Sequence, residues 1–357
     1  MKFSYTASYT TESSAYSRYS QGEGVHVYSI SSDGLEWTEI QTVPEHDPAF
    51  IAFGKDRKTL YVAQSASNAA LMGIVAYVVN KKTGKLEKLE QQIDFGRAIC
   101  CLSVHPSGNY MVAADFKGNI YAIRLRQDGA LDEITDQVAL EGKLGPLANI
   151  QKCSRPHHIP FDLDGNYIII PDKGYDLIHT YQLDTERGKF TCIGQAPIRP
   201  ASCARHIAFH PDHKHLYVAA EYTSKIFVFD YDNITGSLAM RQVISAERST
   251  YCGLYCKSSE ISVHPNGRFL YVSNRGDNTI GVFQIDEKGL LTPVEWTETQ
   301  GEIPRFFSMD EDGKSLYVGN QKSGNVAVFK VDSKTGKLTW TGKVIPVPCP
   351  TWILFSE

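Results

Sequence analysis

The segment from Ser258 to Asp286 alternates between short apolar runs and polar turn clusters. Ile261–Val263 ends at a His-Pro-Asn-Gly cluster, Phe269–Ser273 is rich in aromatic and β-branched residues, and Thr279–Ile285 follows a polar stretch that contains a glycine. A fourth apolar run spans Leu291–Trp296. Short runs between turn signals predict strands. Four such strands joined by tight turns predict an antiparallel sheet of the kind that forms one propeller blade.

The same pattern recurs along the whole chain. When the first strand of each unit is aligned on its central apolar residue, the units follow one another every 46 to 57 positions. A repeat of this length is typical of propeller blades. The seven central residues are Ile51, Leu102, Ile159, Ile207, Ile261, Phe307 and Ile353.

The two ends of the chain each carry part of a unit. The N-terminal part supplies three strands, Phe3–Thr10, Val25–Ile30 and Leu35–Val43, whereas the C-terminal part supplies one first strand, Thr351–Phe355. We therefore predict an all-β, seven-bladed β-propeller of four-stranded antiparallel blades, in which the last blade is closed by N- and C-terminal strands. This closure removes the free sheet edges, and it makes residues 1–357 a single predicted domain.

Composition narrows the class of protein. Of 357 residues, 42% are hydrophobic and 21% are charged, and the net charge of −4 gives no reason to expect a nucleic-acid partner. The sequence lacks an N-terminal signal-peptide pattern and an apolar run long enough to span a membrane. Its eight cysteines have no disulfide-framework spacing. We expect a cytoplasmic protein that binds neither membrane nor nucleic acid; no oligomeric state follows from the sequence.

Polar residues concentrate where the blades should meet at one mouth of the central channel. In an antiparallel blade, the start of the first strand and the end of the second lie at the same end, and the first strand is nearest the axis. The two residues before each central position are Ala49-Phe50, Cys100-Cys101, His157-His158, Arg205-His206, Ser259-Glu260, Arg305-Phe306 and Thr351-Trp352. The predicted ends of the second strands are Gln64, Asp115, Asp172, Glu221, Arg275 and Gln321.

This arrangement places Arg, His and Glu on blades three to six, and apolar or aromatic groups on blades one and seven. A charged wall opposite an apolar wall suits a small anionic organic ligand. Three other interpretations remain: ion pairs that hold blades together, a polar plug, or a metal site formed by His157, Glu221 and Glu260. Because the carboxylates are surrounded by arginines, we predict no metal and no cofactor. The insertion at 140–155 predicts a surface loop near this mouth.

The chain resembles a known family over essentially its whole length, and two stretches carry the most specific part of the resemblance. They are Glu260–Gly276, with the sequence EISVHPNGRFLYVSNRG, and Ala204–Pro211, with the sequence ARHIAFHP. At these residues the chain is similar to the seven-bladed propeller lactonases, which include propeller-type 6-phosphogluconolactonases and fungal carboxymuconate lactonising enzymes. The resemblance implies four catalytic residues, which are His157, Arg205, Glu221 and Arg275. His158 is the alternative candidate for the catalytic histidine.

The resemblance implies hydrolysis of a sugar lactone, with an anionic lactone or sugar acid as ligand. Glu221 or His157 would be the general base, and Arg205 and Arg275 would stabilise the oxyanion. Substrate contacts are expected from His158, Glu260, Arg305 and Gln321. Two alternatives stay open: a carboxymuconate-type lactone cycloisomerase that uses the same arginines, and a non-catalytic propeller that binds partners on its rim.

Overall fold

A computed structural model describes residues 2–10, 22–65, 72–90 and 93–356, which form seven antiparallel sheets. One sheet combines both ends of the chain, with the last strand innermost. We call it blade seven. Its strands are β1 (Lys2–Ser8), β2 (Gly24–Ile30), β3 (Trp37–Pro44) and, from the C-terminal segment, β28 (Pro350–Phe355).

Blades one and two follow blade seven along the chain. In blade one the outer edge is divided between two short strands that both pair with its third strand. Blade one contains β4 (Pro48–Phe53), β5 (Thr59–Gln64), β6 (Gly73–Val79), β7 (Leu86–Lys88) and β8 (Ile93–Asp94). Blade two contains β9 (Ile99–Val104), β10 (Tyr110–Asp115), β11 (Asn119–Leu125) and β12 (Leu131–Ala139).

Blade three departs from the four-strand prediction. Its regular strands are β13 (Ile168–Asp172), β14 (Leu177–Asp184) and β15 (Lys189–Pro197). The expected first strand around Ile159 is reduced to two isolated bridges, Pro156 to Asp172 and Phe161 to Ile168. Pro156 and Pro160 explain the difference, because proline has no N–H to donate to a strand ladder. The segment still runs beside β13, since the Ile169 amide donates to the Pro160 carbonyl at 3.1 Å.

Blades four to six are regular four-stranded sheets. Blade four contains β16 (Ala204–Phe209), β17 (His215–Ala220), β18 (Lys225–Asp232) and β19 (Ser237–Ser245). Blade five contains β20 (Lys257–Val263), β21 (Phe269–Arg275), β22 (Thr279–Ile285) and β23 (Leu291–Glu298). Blade six contains β24 (Pro304–Met309), β25 (Ser315–Asn320), β26 (Asn325–Val331) and β27 (Leu338–Pro346).

The predicted seven-bladed propeller is thus confirmed. The second strands are buried on both faces, because each blade packs between two neighbours; β5, β10 and β21 are buried at every position. The outer strands, such as β12 and β23, are instead mostly exposed or half-buried. Within its described part, the chain has no helix long and apolar enough to cross a membrane.

Polar contacts at the end away from the mouth join successive blades. A tyrosine on the second strand of one blade donates to a glycine carbonyl in the outer turn of the next. At Gly336, φ is +74°, and an added Cβ would lie 2.4 Å from the Phe269 ring, so only glycine fits. The four contacts, at 2.7 to 3.0 Å, are Tyr5 to Gly84, Tyr61 to Gly129, Tyr217 to Gly289 and Tyr271 to Gly336.

Histidines of the His-Pro turns make a second set of such contacts. Each ring lies beside a glycine carbonyl of the following blade, and a carbonyl can only accept, so the Nε2 atom must carry the proton. These contacts assign His210 and His264 to blade packing. The three pairs are His105 with Gly165 at 3.1 Å, His210 with Gly267 at 2.7 Å, and His264 with Gly313 at 3.0 Å.

The closure of the ring depends on β28. This strand pairs with β1 from Ser4 opposite Phe355 to Ser8 opposite Pro350. The hydroxyl of Thr351 also donates to the carbonyls of Ala7, at 3.1 Å, and of Pro48 in blade one, at 2.9 Å. The C-terminal strand therefore ties blade seven together and joins it to blade one.

Deleting residues 349–357 should strip the innermost strand from blade seven and expose the edge of β1. Because an open, apolar edge is prone to pairing with other chains, we expect a large loss of melting temperature and aggregation on size-exclusion chromatography. As a milder control, Thr351→Val removes only two hydrogen bonds and should cost about 1–2 kcal/mol of unfolding free energy. A truncated chain that melts like the full one would contradict this closure.

Candidate active site at the channel mouth

A β-bulge near the mouth interrupts the inner strand of six blades. At a bulge two residues face one on the partner strand, so the extra side chain is turned out of the regular register. The bulged residues are those found two positions before the central apolar residue. They are Ala49, Cys100, Arg205, Ser259 (together with Glu260), Arg305 and Thr351.

The backbone just before four of these bulges is strained. A non-glycine residue with positive φ lies two positions upstream of the bulged residue, in a region that such residues rarely adopt. These four residues lie at the mouth end of blades one, four, six and seven. The residues are Asp47 (φ 42°), Cys203 (φ 58°), Ile303 (φ 61°) and Cys349 (φ 39°).

The bulged residues contact the next blade around the axis. Arg205 donates to the carbonyl of Ser259 at 2.9 Å, and the Ser259 hydroxyl donates to the carbonyl of Arg305 at 2.6 Å. Arg305 in turn donates to the hydroxyl of Tyr9 at 2.9 Å. The interpretation that these groups hold blades together is therefore correct for part of the set, and these contacts fix the positions of the arginines.

A buried carboxylate lies at the centre of the charged wall. Glu221 follows β17 and is only 4% exposed. Its Oε2 atom lies 2.6 Å from Nζ of Lys173, 3.3 Å from Nε of Arg205 and 3.4 Å from Nη2 of Arg275. Glu221 therefore bridges cations from blades three, four and five. A fourth cation, Arg305, lines the same cavity as Glu221.

The charges shift the pKa values of this cluster in opposite directions. Burial alone would raise the pKa of Glu221, but Lys173, Arg275 and Arg205 outweigh it and hold that pKa well below its usual range. Burial, with the repulsion of Arg275 and Arg305, lowers the pKa of Arg205 to about 9. Glu221 is therefore ionised at neutral pH, and the region around Arg205 still carries an excess of positive charge.

His157 lies between two adjoining cavities at the mouth. One cavity is lined by Lys173, Arg275, Arg305 and Glu221 and by Tyr9 and Arg155. The other is lined mainly by apolar residues and by Arg205 and His206. Phe116, His157 and Arg305 line both. A ligand that spans the cavities would therefore pass directly beside the His157 ring.

Aromatic rings form the wall opposite the charges, as the sequence predicts. The ring of Trp352 lies between Phe50 and Phe306, with ring centroids 3.8 Å and 3.9 Å away. These rings come from blades seven, one and six. Such a stack excludes water from one side of the cavity and offers an apolar surface to the carbon skeleton of a ligand.

A chain of polar contacts leads from His157 into the protein. Nδ1 of His157 lies 3.2 Å from Nε2 of His206, and Nδ1 of His206 lies 3.0 Å from Oε2 of Glu260. Burial and the nearby Arg205 lower the pKa values of both histidines well below the usual value. Burial raises the pKa of Glu260 to about 8, although Arg205 opposes the shift.

The structure brings some of the predicted site residues together and separates others. His157, Arg205, Glu221, Arg275 and Arg305 share the two mouth cavities. Glu260 lies behind His206, as described above. The catalytic and binding roles assigned to this set stay predictions.

Two predicted substrate contacts lie apart from the mouth cavities. His158 accepts from the amide of Ile207 at 3.3 Å and faces a separate cavity beside Pro160. Gln321 contacts the sulfur of Cys349 at 3.6 Å and lines neither mouth cavity.

The predicted ends of the second strands do not all occupy the same position in the repeat. The strands β5, β10 and β13 end at Gln64, Asp115 and Asp172 as predicted, whereas β17 and β25 end one residue before the predicted Glu221 and Gln321. Pairing shows that Gln64, Asp115 and Asp172 are equivalent to Ala220 and Asn320, so the residues equivalent to Glu221 come one position later. Those residues are Ser65, Phe116 and Lys173, and the last two line the charged cavity. The Oδ1 atom of Asp172 instead accepts hydrogen bonds from the amides of Arg155, at 2.9 Å, and Gly174, at 2.6 Å.

Sequence reasoning therefore missed Lys173 and His206 as site residues. Lys173 could have been found from the repeat itself, because its amide donates to the Arg155 carbonyl as the Glu221 amide donates to that of Cys203. His206 occupies an aligned mouth position, but only its contacts across two blades show its place in the site. The loop at 140–155 does end at the mouth, where Arg155 lines the charged cavity.

The suggested metal site of His157, Glu221 and Glu260 does not form in the structure, since Glu221 is held by cations and Glu260 by His206. Among the described residues, one group has ligand atoms close enough for a metal, and it is His210, Asp212 and His215 at the opposite end of blade four. His210 is already used there: its Nε2 donates to Gly267, and its Nδ1 accepts from the Asp212 amide at 3.1 Å. The turn therefore explains this group.

The fold and the site together define a seven-bladed propeller with a cavity at one mouth of its channel. Cationic side chains, one buried carboxylate and a histidine line this cavity. Residues 4–355 match the model of a family described as Lactonase, 7-bladed beta-propeller. The chain belongs to this family, whose members act on small-molecule lactones.

Named relatives cover nearly the whole chain. A 6-phosphogluconolactonase of Bacillus subtilis is 30% identical over 336 residues, which are 93% of this chain and 94% of the relative. A 6-phosphogluconolactonase of Serratia proteamaculans is 26% identical and covers 93% and 96%. The crystal structure of a Lactobacillus plantarum protein superposes with a TM-score of 0.89 at 25% identity, covering both chains completely.

Lys173→Met should destabilise the protein, because it removes one of the three cations paired with buried Glu221. We expect a loss of unfolding free energy on the order of 3 kcal/mol. Glu221→Gln in the same variant should restore part of it, since a neutral amide needs no counter-ion. Equilibrium denaturation of the four proteins in this double-mutant cycle measures the coupling.

The exposed Lys189, which pairs with Asp136 at 3.2 Å on an outer strand, provides the control. Lys189→Met should change the unfolding free energy by less than about 1 kcal/mol. Strictly additive losses for Lys173→Met and Glu221→Gln would contradict the buried ion pair.

Proposed function

We propose that this protein hydrolyses an anionic sugar lactone of the 6-phosphogluconolactone type. Among the described residues, the observation that carries the proposal is a cavity lined by Lys173, Arg275 and Arg305 around the single carboxylate of Glu221, into which His157 also projects. A mainly cationic lining favours an anionic ligand. The names of the Bacillus and Serratia relatives support the same substrate class.

His157 is the better candidate for the general base. Glu221 is paired with three cations, which lower its pKa and hold its carboxylate in place, so it is a weak base at neutral pH. His157 presents a ring to both cavities, and its Nδ1 is occupied by His206. Its Nε2 atom is therefore the one that would take a proton from the attacking water.

The arginines fit the role of oxyanion stabilisers. When water adds to the lactone carbonyl, negative charge develops on the carbonyl oxygen, and fixed cations lower the energy of that state. Glu221 and the carbonyls of Ser258 and Ser259 hold Arg275 and Arg205 in place. Arg305, Lys173 and Arg155 also line the charged cavity, where they could contact the phosphate or carboxylate of the substrate. The aromatic wall would pack against the sugar carbons.

The cytoplasmic location also stays a proposal. It is supported by the absence of disulfides among the described cysteines, of which Cys100, Cys101, Cys203 and Cys349 are buried thiols. A Pseudomonas aeruginosa gluconolactonase with the same fold, 23% identical, is described as periplasmic. Thiol labelling of the native protein isolated from cell fractions would decide between the two compartments.

A panel of three lactones should separate the candidate reactions: 6-phosphogluconolactone, uncharged gluconolactone, and a carboxylated muconolactone. We expect the phosphorylated sugar lactone to be opened fastest, with the hydroxy acid as product, measured above spontaneous hydrolysis. The assay should contain a chelator, because no metal is expected.

Three outcomes would contradict the proposal. Equal turnover of the uncharged lactone would remove the role of the cations in substrate choice. An unsaturated tricarboxylate, formed from the carboxylated muconolactone by ring opening without addition of water, as the only product would identify a cycloisomerase. No turnover of any lactone would favour the rim-binding alternative.

Arg275→Ala should lower kcat/KM roughly a hundredfold, equal to about 3 kcal/mol of transition-state stabilisation. Because Arg275 is one of the three cations paired with buried Glu221, the variant should also lose unfolding free energy, so its turnover is measured well below its melting temperature. Arg268→Ala, at the opposite end of β21, removes the same kind of side chain and should leave turnover unchanged. Comparable turnover in the two folded variants would show that Arg275 has no catalytic part.

A further inference from the structure

We propose that Glu260, His206 and His157 form a proton relay that carries the proton of the attacking water from the cavity to a buried carboxylate. The inference rests on the proposed lactone hydrolysis and extends it to His206, as a positioning and relaying residue, and to Glu260, as the final acceptor. The three side chains come from three successive blades, three to five, at the mouth end of the innermost segment of each blade: His206 and Glu260 directly precede the central apolar residue, and His157 lies two positions before it.

Each atom in the chain of contacts has one partner. In Glu260, Oε1 accepts from the amide of Ile261 at 3.0 Å, so Oε2 is left for His206. His206 uses Nδ1 toward Glu260 and Nε2 toward His157. For Nε2 of His157 no hydrogen-bond partner is found within the described ranges, and the ring lines both cavities. The chain therefore runs without a gap from a buried oxygen to a nitrogen at the cavity.

Two proton arrangements satisfy these contacts. In the first, Glu260 is ionised, His206 and His157 both carry their proton on Nδ1, and Nε2 of His157 is a free base. In the second, Glu260 is protonated on Oε2, and both histidines carry their proton on Nε2. The two arrangements differ by one proton, and in neither is a histidine positively charged.

The absence of a charged histidine in both arrangements matters because the nearby cations disfavour an imidazolium. A lone His157 that accepted a proton would become an imidazolium in a buried, positively charged site, which is why its pKa is depressed. The charged and titratable groups that face the relay are His158, Lys173, Arg205, Glu221, Arg275 and Arg305. The relay avoids the imidazolium by placing the proton on Glu260, whose negative charge it cancels.

The reaction balances without a further reactant. The water oxygen forms a bond to the lactone carbonyl carbon as its proton moves to Nε2 of His157. The Nδ1 proton of His157 moves to Nε2 of His206, and the Nδ1 proton of His206 moves to Oε2 of Glu260. When the ring C–O bond breaks, the same transfers in reverse return a proton to the leaving alkoxide. The new carboxylic acid then loses its proton to solvent.

The relay gives the reaction a defined pH dependence. Its protonated arrangement cannot take a proton from water, and burial sets the pKa of Glu260 at about 8. Below that pH the relay is mostly protonated, and above it mostly a free base. We therefore expect kcat/KM to rise as pH increases through about 8, once spontaneous hydrolysis is subtracted.

Glu260→Gln tests the acceptor, because the amide has the same size but cannot take up the proton. We expect kcat to fall on the order of a hundredfold and the rise in kcat/KM near pH 8 to disappear, with a smaller change in KM. Glu298→Gln, an exposed position on β23, is the control and should keep both the rate and the pH profile. A Glu260→Gln enzyme with the wild-type pH profile would overturn the relay.

His206→Gln tests the middle of the relay, and His210→Gln, at the far end of the same strand, is its control. The first should lose the pH-dependent rise, whereas the second should keep it even if it melts at a lower temperature. If both lose it equally, or if His206→Gln keeps it, the relay is wrong.

An infrared titration separates failure of the relay from failure of the proposed function. In the wild-type protein without substrate, the carbonyl band of a protonated carboxylic acid should vanish as pH rises through about 8, and this signal should be absent in Glu260→Gln. Absence of the band in the wild type would overturn the relay whether or not a lactone is hydrolysed. Its presence in a protein that opens no lactone would contradict the proposed function alone.

Discussion

The site depends on one backbone constraint, the bulge that interrupts the inner strand of each regular blade at the same distance from its centre. A regular strand would send alternate side chains into the neighbouring blades. The extra residue breaks that alternation and leaves a side chain at the axis. Because the repeat places the bulges at one level, the identity of a few aligned residues decides what the channel mouth can bind.

The cations at this mouth explain why one carboxylate is buried among them. Glu221 lies within 3.4 Å of three positive groups from three blades, so it reduces their repulsion and fixes their positions. The same contacts hold the pKa of Glu221 low, which is why we propose His157 rather than Glu221 as the general base. The cationic lining of the cavity is the feature on which the proposed anionic ligand depends.

The sequence was sufficient to predict the fold and the positions of Arg205 and Arg305 at the mouth, because both follow from counting residues along the first strands. It was insufficient where the repeat changes locally. The prolines around His157 remove the regular first strand of blade three. Treating the last residue of every predicted second strand as equivalent was wrong, because in blade three the residue equivalent to Glu221 comes one position after the strand end at Asp172; Lys173 was therefore overlooked. The contact between His206 and Glu260 depends on side-chain direction across a blade boundary, which no spacing in one chain reveals.

The pairing of β28 with β1 has a consequence for the order of events during synthesis. The partners Ser4 and Phe355 are separated by about 350 residues, so blade seven waits without its inner strand until residues 350–355 have been synthesised. Contacts of such long sequence separation slow folding and leave an edge exposed meanwhile. Thr351 and Trp352 line the cavity, and the cavity is therefore completed only after this segment has left the ribosome.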